Sequence, residues 1–98
     1  MSKKIPSEEE CQLVSGILKT LSHPQRLMIL CQLTDGRKTV GELEELSGAS
    51  QSAVSQFLSR MKLEGLVEAE RDNQHMYYDI KDPRVKKLIQ SLDRIFCG

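Results

Sequence analysis

The sequence has no excess charge of either sign, no apolar run long enough to cross a bilayer, and only three cysteines and two histidines. Each shortage removes a class of function. Without a stretch of roughly 20 apolar residues or a signal-peptide pattern, the chain reads as cytoplasmic, with no membrane partner. Three cysteines in a reducing compartment do not make a structural disulfide framework. His23 and His75 are too few for a nitrogen-rich tetrahedral zinc site. No cysteine has a histidine at helical spacing or a CxxC partner, which argues against a thiol enzyme; no catalytic residue, cofactor or metal ligand is assigned. No internal repeat or linker divides the 98 residues, so residues 1–98 read as a single domain. A chain this short buries a modest core, and pairing with a second copy would complete it.

The zero net charge weighs against a polyanionic partner unless the charge is segregated. It partly is. Arg37, Lys38, Arg60, Lys62 and Arg71 flank one helical pair, whereas Glu8 to Glu10 and Glu42 to Glu45 lie elsewhere. Within that pair, Ser50 to Gly65 (SQSAVSQFLSRMKLEG) contains no acidic residue until Glu64. Its apolar residues Val54, Phe57, Leu58 and Met61 recur at i, i+3, i+4 and i+7, as one buried helical stripe does. Ser52, Ser55, Gln56 and Ser59 repeat the spacing on another face. A solvated face would carry Glu and Lys there, because long charged side chains form helix well and keep a surface soluble. Short hydroxyls and amides instead suit hydrogen bonding to base edges, with Gln51 at the helix start and Arg60 and Lys62 placed for phosphates. A serine-rich surface helix with no partner, or one that contacts only protein, remains the alternative reading.

The rest of the chain supplies a frame for this helix. After a loose basic tail, Met1 to Pro6, Ser7 and Glu10 form a capping box for a first helix, about residues 7–21, with apolar Leu13, Val14, Ile17, Leu18 and Leu21. Pro24 opens a second helix to about Leu33, apolar almost all round and expected at the centre of the core. Thr39 with Glu42 caps a short third helix through Val40, Leu43 and Leu46; Ser47, Gly48 and Ala49 turn the chain into the Ser50 helix. Two helices joined in this way are the helix-turn-helix signature. Gly65 stands where a left-handed residue would stop the second of them.

From Leu66 the period falls to two: Val67, Ala69 and Arg71, then Met76, Tyr78 and Ile80, with Asp72 and Asn73 between as turn formers. A two-stranded hairpin at this point is a wing, whose tip would present Arg71 and Gln74 to the nucleic-acid backbone or minor groove. Asp82 and Pro83 open a last helix, about residues 82–97, with apolar Val85, Leu88, Ile89, Leu92, Ile95 and Phe96. The fold class is therefore mainly α with a β-hairpin wing, a winged helix-turn-helix.

The runs LSHPQRLMIL (Leu21 to Leu30) and TVGELEELSGASQSAVSQFLSRMKLEGLV (Thr39 to Val67), with Tyr77 and Tyr78 ending the wing, resemble the ArsR/SmtB family of bacterial winged-helix repressors. The resemblance implies a homodimer formed by the first and last helices, bound to an inverted-repeat operator in double-stranded DNA and released by an inducer. Two recognition helices about a two-fold axis would reach major grooves about 34 Å apart. Metal-binding relatives carry a cysteine pair in the helix spanning Val40 to Leu46, or Asp and His ligands on the last helix; here the first has no cysteine and the second no histidine. A metal-responsive repressor holding a soft ion through Cys11, Cys31 and Cys97 stays as an alternative, as does a regulator with no thiol switch. Cys31 in the second helix and Cys97 at the end of the last are similar to the pair of the family's reactive-sulfur-sensing branch, the biofilm-growth and sulfide-oxidation repressors. That likeness implies that reactive sulfur species or oxidants link the two thiols, through a disulfide or a chain of added sulfur atoms, and release the operator. Read by itself, Cys31 is a small buried hydrophobe, as a cysteine inside an apolar helix usually is, and Cys11 a bystander.

Overall fold

The computed structural model describes residues 5–98, so positions 1–4 of the expected tail lie outside the described residues. In chain order the elements are α1 (Glu8–Leu21), α2 (Pro24–Leu33), β1 (Lys38–Thr39), α3 (Val40–Ser47), α4 (Gln51–Leu63), β2 (Val67–Asp72), β3 (His75–Ile80) and α5 (Pro83–Phe96). Among the described residues no helix is long and apolar enough to cross a membrane. The winged helix-turn-helix expected from the sequence is the fold observed.

Local chemistry sets each boundary. Ser7 and Thr39 complete capping boxes with Glu10 and Glu42, while Ser50 caps α4 by accepting from the Ala53 N–H at 3.1 Å. Gly48 ends α3 at φ 71°. At the end of α4, Gly65 adopts φ 78°, Leu66 N–H donates to Met61 O at 2.9 Å and Gly65 N–H to Lys62 O at 3.1 Å. This is a Schellman stop, and it turns the chain directly into β2.

Removing one cap should be measurable. Thr39→Ala is expected to lower the free energy of unfolding by about 1 kcal/mol, read from the urea midpoint. The Thr39 backbone N–H, donating to Glu42 at 3.0 Å, holds the Glu42 carboxyl below the usual carboxylate range. A group so depressed stabilises the fold above its ordinary pKa, and this stabilisation is lost as pH falls through the lowered value. Thr39→Ala keeps that backbone N–H and removes only the hydroxyl, which donates to the same carboxylate at 3.2 Å, so only the hydroxyl's smaller share of the difference from the parent should narrow in acid.

The core is built on Ile29, Leu30 and Leu33 of α2, all fully buried, against Leu43 of α3, Val54, Leu58 and Met61 of α4, and Val85 and Ile89 of α5. The all-round burial expected for α2 is not what forms: Leu27 is half-buried and Met28 is 42% exposed. A ten-residue helix packed by its neighbours on one side keeps an open side whatever its composition.

The wing also differs from expectation. It belongs to a three-stranded antiparallel sheet in the order β1-β3-β2, with Lys38 opposite Tyr78 and Thr39 opposite Tyr77. Two residues of strand are too few to show a period, and Thr39 reads more strongly as a helix cap. The hairpin closes Asp72 against His75 through Asn73 and Gln74, with Asn73 at φ 58°, a conformation that asparagine tolerates.

Candidate nucleic-acid interface

The recognition helix α4 separates two faces. Val54, Leu58 and Met61 are fully buried, whereas Gln51, Ser52, Gln56 and Ser59 are exposed and Ser55 is half-buried. Between them lies Phe57, half-buried rather than part of the dry stripe, with its ring 4.8 Å from that of His23 and 5.6 Å from the Arg26 guanidinium. The uncharged ridge is thus presented outward along about three turns of helix, bounded by an aromatic contact on one flank.

The cations are arranged less simply than their sequence positions suggest. Lys62 is exposed, and so are Arg71 and Gln74 at the wing tip. Arg60 is exposed but its Nε lies 3.6 Å from Glu64 Oε2, one helical turn on. Arg37, grouped with the basic flank in the sequence, is not a free cation. Its guanidinium donates to Asp72 Oδ2 at 2.7 Å and Glu70 Oε1 at 3.1 Å and lies 4.2 Å from the Tyr77 ring centroid. The Asp72 hydrogen bond, with the nearby charges of Asp72 and Glu70, raises the guanidinium's pKa further.

Register explains the brace. Glu70 pairs with Tyr77 and Asp72 with His75, so both carboxylates stand on the sheet face that Thr39 and Tyr77 share, and Arg37 immediately precedes β1. The alternation of Glu68, Glu70 and Asp72 was visible in the sequence, but the short strand that brings Arg37 beside them was not. Arg71 pairs across to Met76 on the opposite face, away from this acidic row.

Away from the ridge, Cys31 is half-buried on α2, and Cys97 is exposed at the cap of α5; both are free, as is exposed Cys11. Burial pushes the Cys31 thiol up, and the negative charge of Asp93 pushes it further. The last turn of α5 therefore lies within electrostatic reach of Cys31, where α2 packs on α5. Among the described residues no group of three or more His, Cys, Asp and Glu side chains could hold a metal ion.

Comparison with known proteins agrees with this geometry. The family model described as "Bacterial regulatory protein, arsR family" matches residues 23–69, from the cap of α2 into β2. The HTH-type transcriptional regulator YgaV of Escherichia coli is 39% identical over 98 residues, 99% of each chain. The crystal structure of the transcriptional repressor BigR from Xylella fastidiosa superposes with a TM-score of 0.85 at 38% identity, covering 93% of both chains. Reduced HlyU from Vibrio cholerae gives a TM-score of 0.87 at 35% identity, over 93% of this chain and 96% of that one. On sequence, fold and the outward helix alike, the chain belongs to the ArsR family of winged-helix transcriptional regulators.

Proposed function

We propose that the protein is a homodimeric repressor whose Gln51, Ser52, Ser55, Gln56 and Ser59 read base edges of an inverted-repeat operator. Arg60, Lys62, Arg71 and Gln74 contact the backbone beside them. The observation that carries this reading is the ridge itself: a run of short uncharged polar side chains held outward on a helix whose opposite face is wholly buried. Such a surface gains little from water that Glu or Lys would not gain better, and it matches the donor and acceptor pattern of the major groove.

Pairing of two chains is supported by the outer helices. On α1 only Thr20 and Leu21 are buried, leaving Leu18 50% exposed with Leu13 and Val14 similarly open, and α5 leaves Ile95 70% and Phe96 79% exposed. Apolar stripes at both ends of the chain, left open by their own subunit, fit a two-fold contact between α1 and α5 of two copies. The release step is assigned to Cys31 and Cys97, linked by reactive sulfur species or oxidants. Its support is the packing of α2 on α5, which brings the last turn of α5 within electrostatic reach of Cys31, and the likeness to BigR and to HlyU, the latter described in a reduced form.

The salt dependence of duplex binding tests the DNA reading. With a duplex enriched by the protein from random sequence, log K should fall with log salt at a slope of about −5, the release expected for three cations from each of two subunits. A module that binds only protein would give a flat line, and that result would overturn the proposal.

A further inference from the structure

The end of α1, the start of α2 and the C-terminal half of α4 enclose a recess of about 460 Å³. Its walls carry Lys19, His23, Arg26 and Arg60, and one carboxylate, Glu64. Glu64 is already divided: Oε2 lies 3.6 Å from Arg60 Nε, and Oε1 accepts from the buried Thr20 hydroxyl at 3.3 Å. Arg26 is half-buried, and its Nε, shut off from solvent, has no hydrogen-bond partner among the described residues. A guanidinium is a multiple donor, and with its Nε closed to the recess as to water, a ligand there would be met by its other N–H groups. The face of Phe57 accounts for its position but accepts no comparable hydrogen bond. Three cations against one shared carboxylate around a concave, partly desolvated space select an anion with several acceptor oxygens.

We propose that this recess binds a phosphate group through Lys19, Arg26 and Arg60, at a position separate from the Ser and Gln ridge. Arg60 is the hinge between the two, since a phosphate here would compete with Glu64 for its guanidinium. The phosphate could be a diester of the operator running beside α4, or belong to a free phosphorylated small molecule. Only the first of these rests on the operator-binding reading.

The full-length protein is titrated with inorganic phosphate and pyrophosphate at ionic strength held constant with sodium chloride, following the Arg26 Nε–H resonance by NMR. A saturable shift is expected. Lys19→Gln, at an exposed position, should weaken it about tenfold, and Glu64→Gln, which removes the repelling charge but can still accept from Thr20, should tighten it about three- to tenfold. The second arm measures the salt slope on duplex. If the site receives an operator phosphate, Lys19→Gln makes the slope shallower by about one per subunit. If it receives a free phosphate, the slope is unchanged while the phosphate titration responds. A parent slope near zero would sink operator binding but leave the phosphate arm to be decided by itself. If neither titration nor slope responds to Lys19→Gln and Glu64→Gln in folded protein, as judged by thermal melting, the proposal is overturned. A shift that saturates identically in all three proteins overturns it equally.

Discussion

Gln56→Glu is expected to reduce operator affinity by about 100-fold or more while leaving thermal stability within about 0.5 kcal/mol of the parent. The two side chains have the same length and nearly the same helix propensity, and position 56 is exposed, so folding has little to register. The duplex, by contrast, meets a carboxylate where an amide stood. A lost bidentate contact is worth about 1–3 kcal/mol, and a two-fold assembly loses it twice. The new charge adds repulsion from the phosphates. Gln56→Ala removes the amide without adding charge, so it should fall between the parent and Gln56→Glu. Electrophoretic mobility shift at fixed salt, with melting of the same preparations, gives both readings. Equal affinity of all three proteins would mean that the ridge does not face the bases.

Much of this fold is legible because its punctuation is local. Ser7, Thr39 and Ser50 cap helices within three residues of themselves, Gly48 and Gly65 take the left-handed conformations that end α3 and α4, and Asp82 with Pro83 opens α5. The stripe of Val54, Leu58 and Met61 is likewise written at helical spacing and is fully buried. What escapes a linear reading is the set of contacts across long separations. Arg37 meets residues more than 30 positions away, through a strand of only two residues, so a side chain grouped by sequence with the basic flank instead braces an acidic wing face. Phe57 spaces as core yet is only half-buried and lies against His23 and Arg26, at the start of α2. Arg60 shares a carboxylate with Thr20, 44 residues from Glu64. The recognition helix was readable as an object; the company of its flanking cations was not.

The same distinction governs the proposed sulfur switch, where the residues are legible but their juxtaposition depends on α2 packing against α5. Treating the reduced protein with a persulfide is expected to lower operator affinity about 5- to 150-fold, the range of a coupling of about 1–3 kcal/mol. Cys31→Ala and Cys97→Ala should each bind the operator as the untreated parent does and fail to release it on treatment. In the proposed switch exposed Cys97 would be the first acceptor: its thiolate would take the outer sulfur of the persulfide, expelling the donor thiolate and becoming a protein persulfide. The Cys31 thiolate would then attack the inner sulfur, forming the Cys31–Cys97 disulfide and expelling hydrosulfide. Mass spectrometry separates the steps, because Cys31→Ala should stop at the gain of one sulfur atom, whereas the parent proceeds to the loss of two hydrogens. The second step has a defined pH dependence. Burial, with the charge of Asp93, holds the Cys31 thiol above its ordinary range, so near neutral pH little of it is thiolate. Closure of the disulfide should accelerate as pH rises toward that raised value, and Asp93→Asn should accelerate it at fixed pH by removing a charge that opposes ionisation. Joining half-buried Cys31 beneath the helix-turn-helix to the end of α5 ties the orientation of the DNA-reading unit to the proposed contact between subunits. Full release by Cys97→Ala after the same treatment would detach the switch from this pair of thiols.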